Sequence, residues 1–254
     1  MRQFVQHHSI VREIWGKADT VIFIFAGAAA EFALNKAVDW LYFTGRLPTD
    51  PLGRLFSTVS YARKIVFSNY DDALKAIDQI TAIHAAVEKN RNSTIPDWAY
   101  RDVLFMLIYY SIAAFELMER KMSLEEKQEV YQVFYNMGMR MGLKELPLHY
   151  NLWLDAREQH MEMDMVKSDY TIDLYKQYKK HIGAFRYWIL WEGQAMIVPA
   201  KVRSLLGMRN FSFLPPILLV YKFIRFLRLD SLVKNLVLPS KYEKEFKALD
   251  VKPT

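Results

Sequence analysis

The sequence of 254 residues contains no cysteine. Disulfide bonds, thiolate ligation of haem, iron–sulfur clusters, cysteine zinc sites and cysteine nucleophiles are therefore all excluded. Glycine and proline are also scarce, at nine residues each, which leaves little room for low-complexity linkers. Because 52% of the residues are hydrophobic, a chain of this length is expected to bury a sizeable core.

Several motifs that would indicate particular chemistries are missing as well. The sequence has no HExxH zinc motif, no GxSxG nucleophile elbow and no glycine-rich phosphate loop. None of the six histidines has a glutamate three residues before it, so the ligand pattern of a carboxylate-bridged di-iron bundle is excluded.

An uncharged apolar run near the N-terminus is too short to be a membrane-spanning segment. The run VIFIFAGAAA at 21–30 has about half of the roughly 20 residues that a bilayer requires, so we expect a buried core helix. The first 17 residues carry charges and two histidines instead of a basic start followed by an apolar stretch. They do not read as a secretory signal, and a cytoplasmic location is expected.

Helical signals dominate the chain and predict an all-α fold with short loops. The apolar run 98–118 is hydrophobic on nearly every side, which predicts a central helix. Ser123 and Glu126 form a capping box, and the helix that follows is expected to end near Met141, before Gly142. Further helices are predicted after Pro147, after Ser168 and over 188–206, with an interruption at Pro199.

The positive charge is concentrated near the C-terminus. Residues 201–254 contain eleven Lys or Arg and four Asp or Glu, so their formal net charge is +7. The other 200 residues carry −1, which gives the total of +6. This distribution does not indicate an extended nucleic-acid groove. We therefore divide the chain into a helical domain, 1–214, and a basic amphipathic tail, 215–254.

The tail contains a second long apolar segment, 217–238, with Lys222, Arg225 and Arg228 at three-residue steps. Two interpretations of this strip remain open. The segment is either a helix docked on the protein with a wet edge, or an amphipathic helix in a membrane interface whose cations meet anionic lipid.

One histidine, His84, differs from the others in its pattern. It lies on the apolar face of a helix predicted to start at Asp71 and Asp72, so its ring is expected to point towards the core. A buried imidazole needs a partner, which could be a metal, a haem iron or a neighbouring hydroxyl or carbonyl. For His160 two interpretations are open, an approach to a site and a hydrogen-bonded structural role, and we expect the second. Surface positions are expected for the remaining histidines, which are His7, His8, His149 and His181.

Several segments together resemble the rubber oxygenase family, which includes the mpaB-type oxygenases. The similarity extends from about Val11 to Met208 and is carried by the order and spacing of its motifs. These are DPLGRLFST, ITAIHAAVE, WAYRDVLFMLIYYSIAAFELMER, SLEEKQEVYQVFYNMGMRMGL with a following LP, and VPAKVRSLLGM. The family's trio of an arginine, a threonine and a histidine matches Arg54, Thr58 and His84.

The resemblance implies a globin-like helical fold around a b-type haem, with His84 as the iron ligand. It implies that Arg54 and Thr58 line the haem pocket as propionate or distal-side partners and serve catalysis. Ser57 stands where a latex-clearing relative has a lysine that reaches the iron, and a serine is too short for that contact.

The leading hypothesis is therefore a haem b-dependent oxygenase that uses O2 on an unsaturated, isoprenoid- or lipid-like substrate, with peripheral contact to an anionic membrane. One alternative is a haem- or lipid-binding peripheral membrane protein without turnover. Another is a structural peripheral membrane protein in which His84 is only a core residue.

Overall fold

The fold is built from helices joined by short connections. The computed structural model describes residues 2–43, 45 and 49–227, without the side chains at 51, 52, 54 and 55. This part of the chain forms eleven helices: α1 (Ile10–Trp15), α2 (Ala18–Phe32), α3 (Val38–Phe43), α4 (Pro51–Phe67), α5 (Tyr70–Arg91), α6 (Asp97–Met118), α7 (Leu124–Arg140), α8 (Tyr150–Asp164), α9 (Asp169–Ile197), α10 (Ala200–Leu206) and α11 (Leu214–Phe226).

The all-α prediction is confirmed. No strand occurs in the described ranges, where β-type pairing is limited to two isolated bridges, Gln3 with Asn69 and Asn35 with Met165. The same residues include no helix with the length and hydropathy needed to cross a bilayer. The globin-like arrangement around a haem and the division at residue 214 stay predictions.

Helix boundaries follow local capping chemistry. Ser123 and Glu126 make the expected capping box, and α7 ends at Arg140, with Met141 as its C-cap. Ser168 caps α9, and Pro199 separates α9 from α10 as predicted. The helix predicted after Ser168 and the first part of the one predicted over 188–206 are joined in α9 across a kink at Gly183, whose φ is +79°. Glycine adopts this left-handed backbone without the steric cost that a Cβ would add.

The core lies around α6, which packs along α2. The prediction of a central helix over 98–118 is confirmed, because buried side chains occur on nearly every side of α6. The 21–30 run lies within α2 and helps to form this core, as expected. Trp15 is fully buried and contacts the rings of Phe25 and Phe134, which joins α1 and α7 to the same core.

The contact between α2 and α6 depends on one glycine. A Cβ added at Gly27 would lie 2.2 Å from a ring carbon of Tyr110, which is far inside van der Waals contact. The close approach brings the Tyr110 hydroxyl to Glu31, to whose Oε2 it donates a hydrogen bond of 2.8 Å. Burial, followed by the charge of Glu31, raises the pKa of Tyr110 well above its usual value, so the hydroxyl stays protonated as a donor.

Glu31 also forms a buried ion pair that fixes α8 to α2. Arg157 donates to both carboxylate oxygens of Glu31, at 2.9 and 2.6 Å, and both side chains are almost completely buried. The Arg157 guanidinium lies 4.4 Å from the centre of the Tyr109 ring. Burial alone would lower the pKa of Arg157, but the charge and hydrogen bonds of Glu31 hold it above its usual value. Removing one partner of such a pair typically costs about 3–5 kcal/mol, because the other charge is left buried.

We expect Gly27→Ala to lower the free energy of unfolding by about 1–3 kcal/mol or more, because the new methyl group must displace the packed Tyr110 ring. Gly193→Ala is the matched control, since its Cβ would meet only Phe23, at an ordinary 3.5 Å. Alanine is favoured over glycine inside a helix by about 1 kcal/mol, so the control should be neutral or slightly stabilising. Urea unfolding followed by circular dichroism measures both changes. Equal stability of the two variants would contradict this packing.

Candidate functional site

His84 lies in the C-terminal half of α5. Asn69 caps this helix by accepting a hydrogen bond from the backbone N–H of Asp72, and Asp71 and Asp72 occupy its first turn as predicted. The buried residues of α5 all lie in its N-terminal half and are Ala73, Ala76 and Ile77. His84 itself is only half-buried.

The expectation that the whole face bearing His84 points into the core is therefore only partly correct. Ala73 and Ile77 are buried, but Thr81 on the same predicted face is exposed. The reason is that the C-terminal half of α5 emerges from the core, so helical periodicity continues after the packing partners end. His84 lies where the helix passes from the core to the surface.

The position of the His84 ring is set by contacts between α5 and α6. Its centroid lies 5.1 Å from that of Tyr100. The Tyr100 hydroxyl donates to Oε1 of Glu88, which also accepts the backbone N–H of Ile95. Burial, followed by the charge of Glu88, raises the pKa of Tyr100, so this donor keeps its proton near neutral pH. Glu88 thus ties the end of α5 to the start of α6 beside His84.

The stretch of α5 that carries His84 is apolar and largely exposed. Ile83 is 42% exposed, and Ala82, Ala85 and Ala86 are also exposed. A haem needs an imidazole nitrogen for its iron and apolar side chains against its ring. His84 therefore fits this group in donor type. Tyr100 and the half-buried side chains of Ile80 and Val87, which share a helix face with His84, fit it in polarity.

Arg54 and Thr58 lie on α4, the helix that precedes α5 and packs against it. They are four residues apart on one helix, so both are on the same side of α4. Thr58 is half-buried and Ser57 is exposed. The Arg54 side chain lies outside the described residues. Asp50 caps α4 through the backbone N–H of Gly53, so the segment carrying the family motif begins as a capped helix.

A second cluster joins residues that the sequence did not bring together. His160 Nδ1 lies 2.5 Å from Oδ1 of Asp102 and 3.4 Å from Oδ2 of Asp164. The hydrogen-bonded role expected for His160 is thus confirmed. Burial, followed by the charge of Asp102, raises the pKa of Asp164, and the nearby His160 opposes that shift.

The sequence could indicate two of the three residues in this cluster. His160 and Asp164 are four residues apart in a helical stretch, a spacing that places them on one face. Asp102 is 58 residues before His160 and lies within a run of apolar residues on α6, so only the packing of α6 against α8 shows the contact. The surface positions predicted for His7, His8, His149 and His181 are confirmed.

The cationic strip of the tail faces the protein. Lys222 donates to the backbone oxygen of Leu117, and Arg225 contacts Asp19 at 3.0 Å and Glu119 at 2.8 Å. Both open interpretations placed this cationic edge towards solvent or lipid, and for these two residues that placement is wrong. Arg225 is held inward by two carboxylates that are distant in the sequence, and Lys222 by a backbone oxygen near the end of α6. Arg228 lies outside the described residues.

Turning the cations inward leaves apolar side chains outside. Val220 is 59% exposed, Phe223 63% and Phe226 81%. We call these three residues together with Ile217 and Leu219 the outer face of α11; all five are exposed. Away from this face, an enclosed apolar space of about 20 Å³ between α4, α6 and α7 has room for about one water molecule and does not include His84.

Comparison with known families agrees with the resemblance found in the sequence. Residues 15–229 match the family described as ER-bound oxygenase mpaB/B'/rubber oxygenase, catalytic domain. Because the match covers most of the chain, the protein belongs to this family. Searches of curated proteins and of solved structures gave no significant match. Membership supports an oxygenase that acts on an apolar substrate with O2.

Proposed function

We propose that the protein is a haem b-dependent oxygenase that acts on an unsaturated apolar molecule of isoprenoid or lipid type. The observation that carries the proposal is the position of His84, a half-buried imidazole beside exposed apolar side chains on α5. The family assignment adds the oxygenase class and makes an apolar substrate the natural partner for such surroundings.

In this proposal His84 holds the iron through one ring nitrogen, and Tyr100 restricts the orientation of the imidazole from α6. Haem supplies the redox chemistry with O2, and the protein supplies orientation and a dry surface. Ile80 and Val87, which lie one turn from His84 on the same face of α5, provide apolar contact for the ring and the substrate. No cysteine is available for covalent attachment, so the haem is bound non-covalently.

Thr58 and Arg54 are assigned to the pocket from α4. Thr58 offers a hydroxyl that can donate or accept a hydrogen bond at a half-buried position. An arginine is permanently charged and suits a carboxylate such as a haem propionate. Ser57 is exposed and its side chain is short, so it is not assigned as an iron ligand.

Purified protein should contain one b-type haem per chain, and His84→Ala should lose the haem or shift its Soret band. His149→Ala is the matched control, because His149 is an exposed histidine at the start of α8 and should leave the spectrum unchanged. Absorption spectra and extracted haem per chain measure both effects. An unchanged spectrum in His84→Ala would assign the ligand elsewhere, and haem-free wild-type protein after haem-supplemented expression would refute the proposal.

Reduced, haem-loaded protein should consume O2 and oxidise at least one member of a panel of isoprenoids and unsaturated lipids. Arg54→Ala and Thr58→Ala should lower the rate per bound haem by about tenfold or more, which corresponds to about 1.4 kcal/mol in the barrier. Ser57→Ala is the matched control, since Ser57 is exposed between them on α4. O2 uptake and product masses are measured together. No product from the whole panel would favour the haem- or lipid-binding alternative, and full activity per haem in both variants would remove their assigned roles.

We further propose that the outer face of α11 lies in the interfacial region of a membrane. An apolar helix face of this kind suits the boundary between headgroups and acyl chains. The family description includes ER-bound members, which makes a lipid surface the natural occupant. Because Lys222 and Arg225 are engaged by protein groups, burial of apolar area should contribute more than attraction to anionic lipid.

Replacing Phe223 and Phe226 together by serine should weaken binding to phosphatidylcholine vesicles at least tenfold, because two exposed aromatic rings no longer insert. Leu148→Ser is the control, since Leu148 is exposed elsewhere on the protein. Vesicle sedimentation at 0.1 and 0.5 M salt provides the measurement, and substantial binding of the wild-type chain should persist at the higher salt. Equal sedimentation of the double variant and the wild-type chain would exclude this face as the contact.

A further inference from the structure

We propose that Asp102, His160 and Asp164 form a site for one divalent transition-metal ion, for which Zn²⁺ is the best match. This metal would be distinct from a haem iron held by His84, so the proposal does not rest on the proposed oxygenase function. One imidazole nitrogen and two carboxylate oxygens, with a water as fourth ligand, form a donor set that zinc accepts.

The geometry brings the three donors to one point. His160 Nδ1 is 2.5 Å from Asp102 Oδ1 and 3.4 Å from Asp164 Oδ2, and the three donor atoms all lie within 4.8 Å of one another. Zinc–ligand distances of about 2.0–2.2 Å in a tetrahedron place the donor atoms about 3.4 Å apart. The contact between His160 and Asp164 already has that spacing, and the contact with Asp102 needs to widen by under about 1 Å.

The donors are held by regular structure and not by loops. His160 and Asp164 lie one turn apart on α8, and Asp102 reaches them from the buried face of α6. Asn35 orients Asp102 by donating to its Oδ2 at 2.7 Å, and Asn35 is itself fixed by the backbone N–H of Ala37. Such outer hydrogen bonds, which leave one carboxylate oxygen directed at the ion, are a regular part of protein metal sites.

The charges at this point also favour a cation. Two carboxylates converge on one imidazole nitrogen, which lies closer to Asp102 than to Asp164. Within the described part of the chain, no other hydrogen-bond donor reaches the Asp164 carboxylate. Lys36 and Arg101 are close enough to act on the Asp164 charge through space. Neither donates a hydrogen bond to it, because Lys36 contacts the backbone oxygen of Met163 and Arg101 contacts Glu145.

A metal here would stabilise a junction between three segments. The Asp164 backbone oxygen accepts the N–H of Lys36, and the N–H of Val166 donates to the oxygen of Leu34, so the end of α8 is joined to the turn after α2. Asp102 adds α6 to the same point. Binding to the folded state alone would raise the stability of the whole domain by mass action.

The test uses full-length protein treated with a chelator and then titrated with Zn²⁺ by calorimetry. We expect one tight site per chain, one non-haem zinc in the elemental analysis after gel filtration, and a higher melting temperature. Asp164→Asn keeps the shape of the side chain and should weaken binding at least tenfold. Asp155→Asn on the exposed side of α8 is the matched control and should bind as the wild-type chain does.

Two further variants keep the result unambiguous. His160→Gln should also lose zinc binding. If this variant fails to fold, the test rests on Asp164→Asn, whose helix content is checked by circular dichroism. His7→Ala combined with His8→Ala tests binding at the exposed histidine pair and should leave the tight site intact. The proposal is overturned if the wild-type chain binds no stoichiometric zinc, or if Asp164→Asn retains wild-type affinity.

Discussion

The buried ion pair between Glu31 and Arg157 is the constraint on which the arrangement of the central helices depends. Two charges in a dry core are tolerated when hydrogen-bond partners with good geometry offset their loss of hydration. Here the bidentate contact and the Tyr110 hydroxyl supply those partners from α8 and α6. The Tyr110 hydroxyl in turn reaches Glu31 only because Gly27 leaves space for the ring. The three helices must therefore pack in one register, that is, with one fixed alignment along their axes.

That register also positions the polar groups that carry the proposals. Arg157, His160 and Asp164 follow one another at three- and four-residue steps on α8, so fixing Arg157 directs the other two towards α6. The same helix α6 carries Asp102, which meets His160, and Tyr100, which lies against His84. One central helix thus contacts both the proposed iron ligand and the proposed zinc site, from two sides of its first turns, because Tyr100 and Asp102 are two residues apart.

Local chemistry made much of the fold readable from the sequence. The capping box at Ser123, the break at Pro199 and the all-round hydrophobicity of α6 depend on neighbouring residues, and each was predicted correctly. Contacts between residues that are far apart in the sequence could not be predicted. The amphipathic pattern of α11 defines two faces but does not tell which one docks, and the outcome depends on Asp19 and Glu119, far away in the chain. For the same reason, the sequence could not show that Asp102 contacts His160. For His84 the pattern predicted a side chain directed at the core, but it could not show where α5 leaves the core.

We propose that His84 is the iron ligand of a haem bound beside the exposed half of α5. Chemical rescue of His84→Gly tests it most directly, because glycine removes the imidazole and leaves space for a free one. We predict that His84→Gly binds little haem without imidazole, and that added imidazole restores both haem binding and the spectrum of the wild-type protein. Haem binding with an unchanged spectrum in His84→Gly without imidazole would contradict the claim.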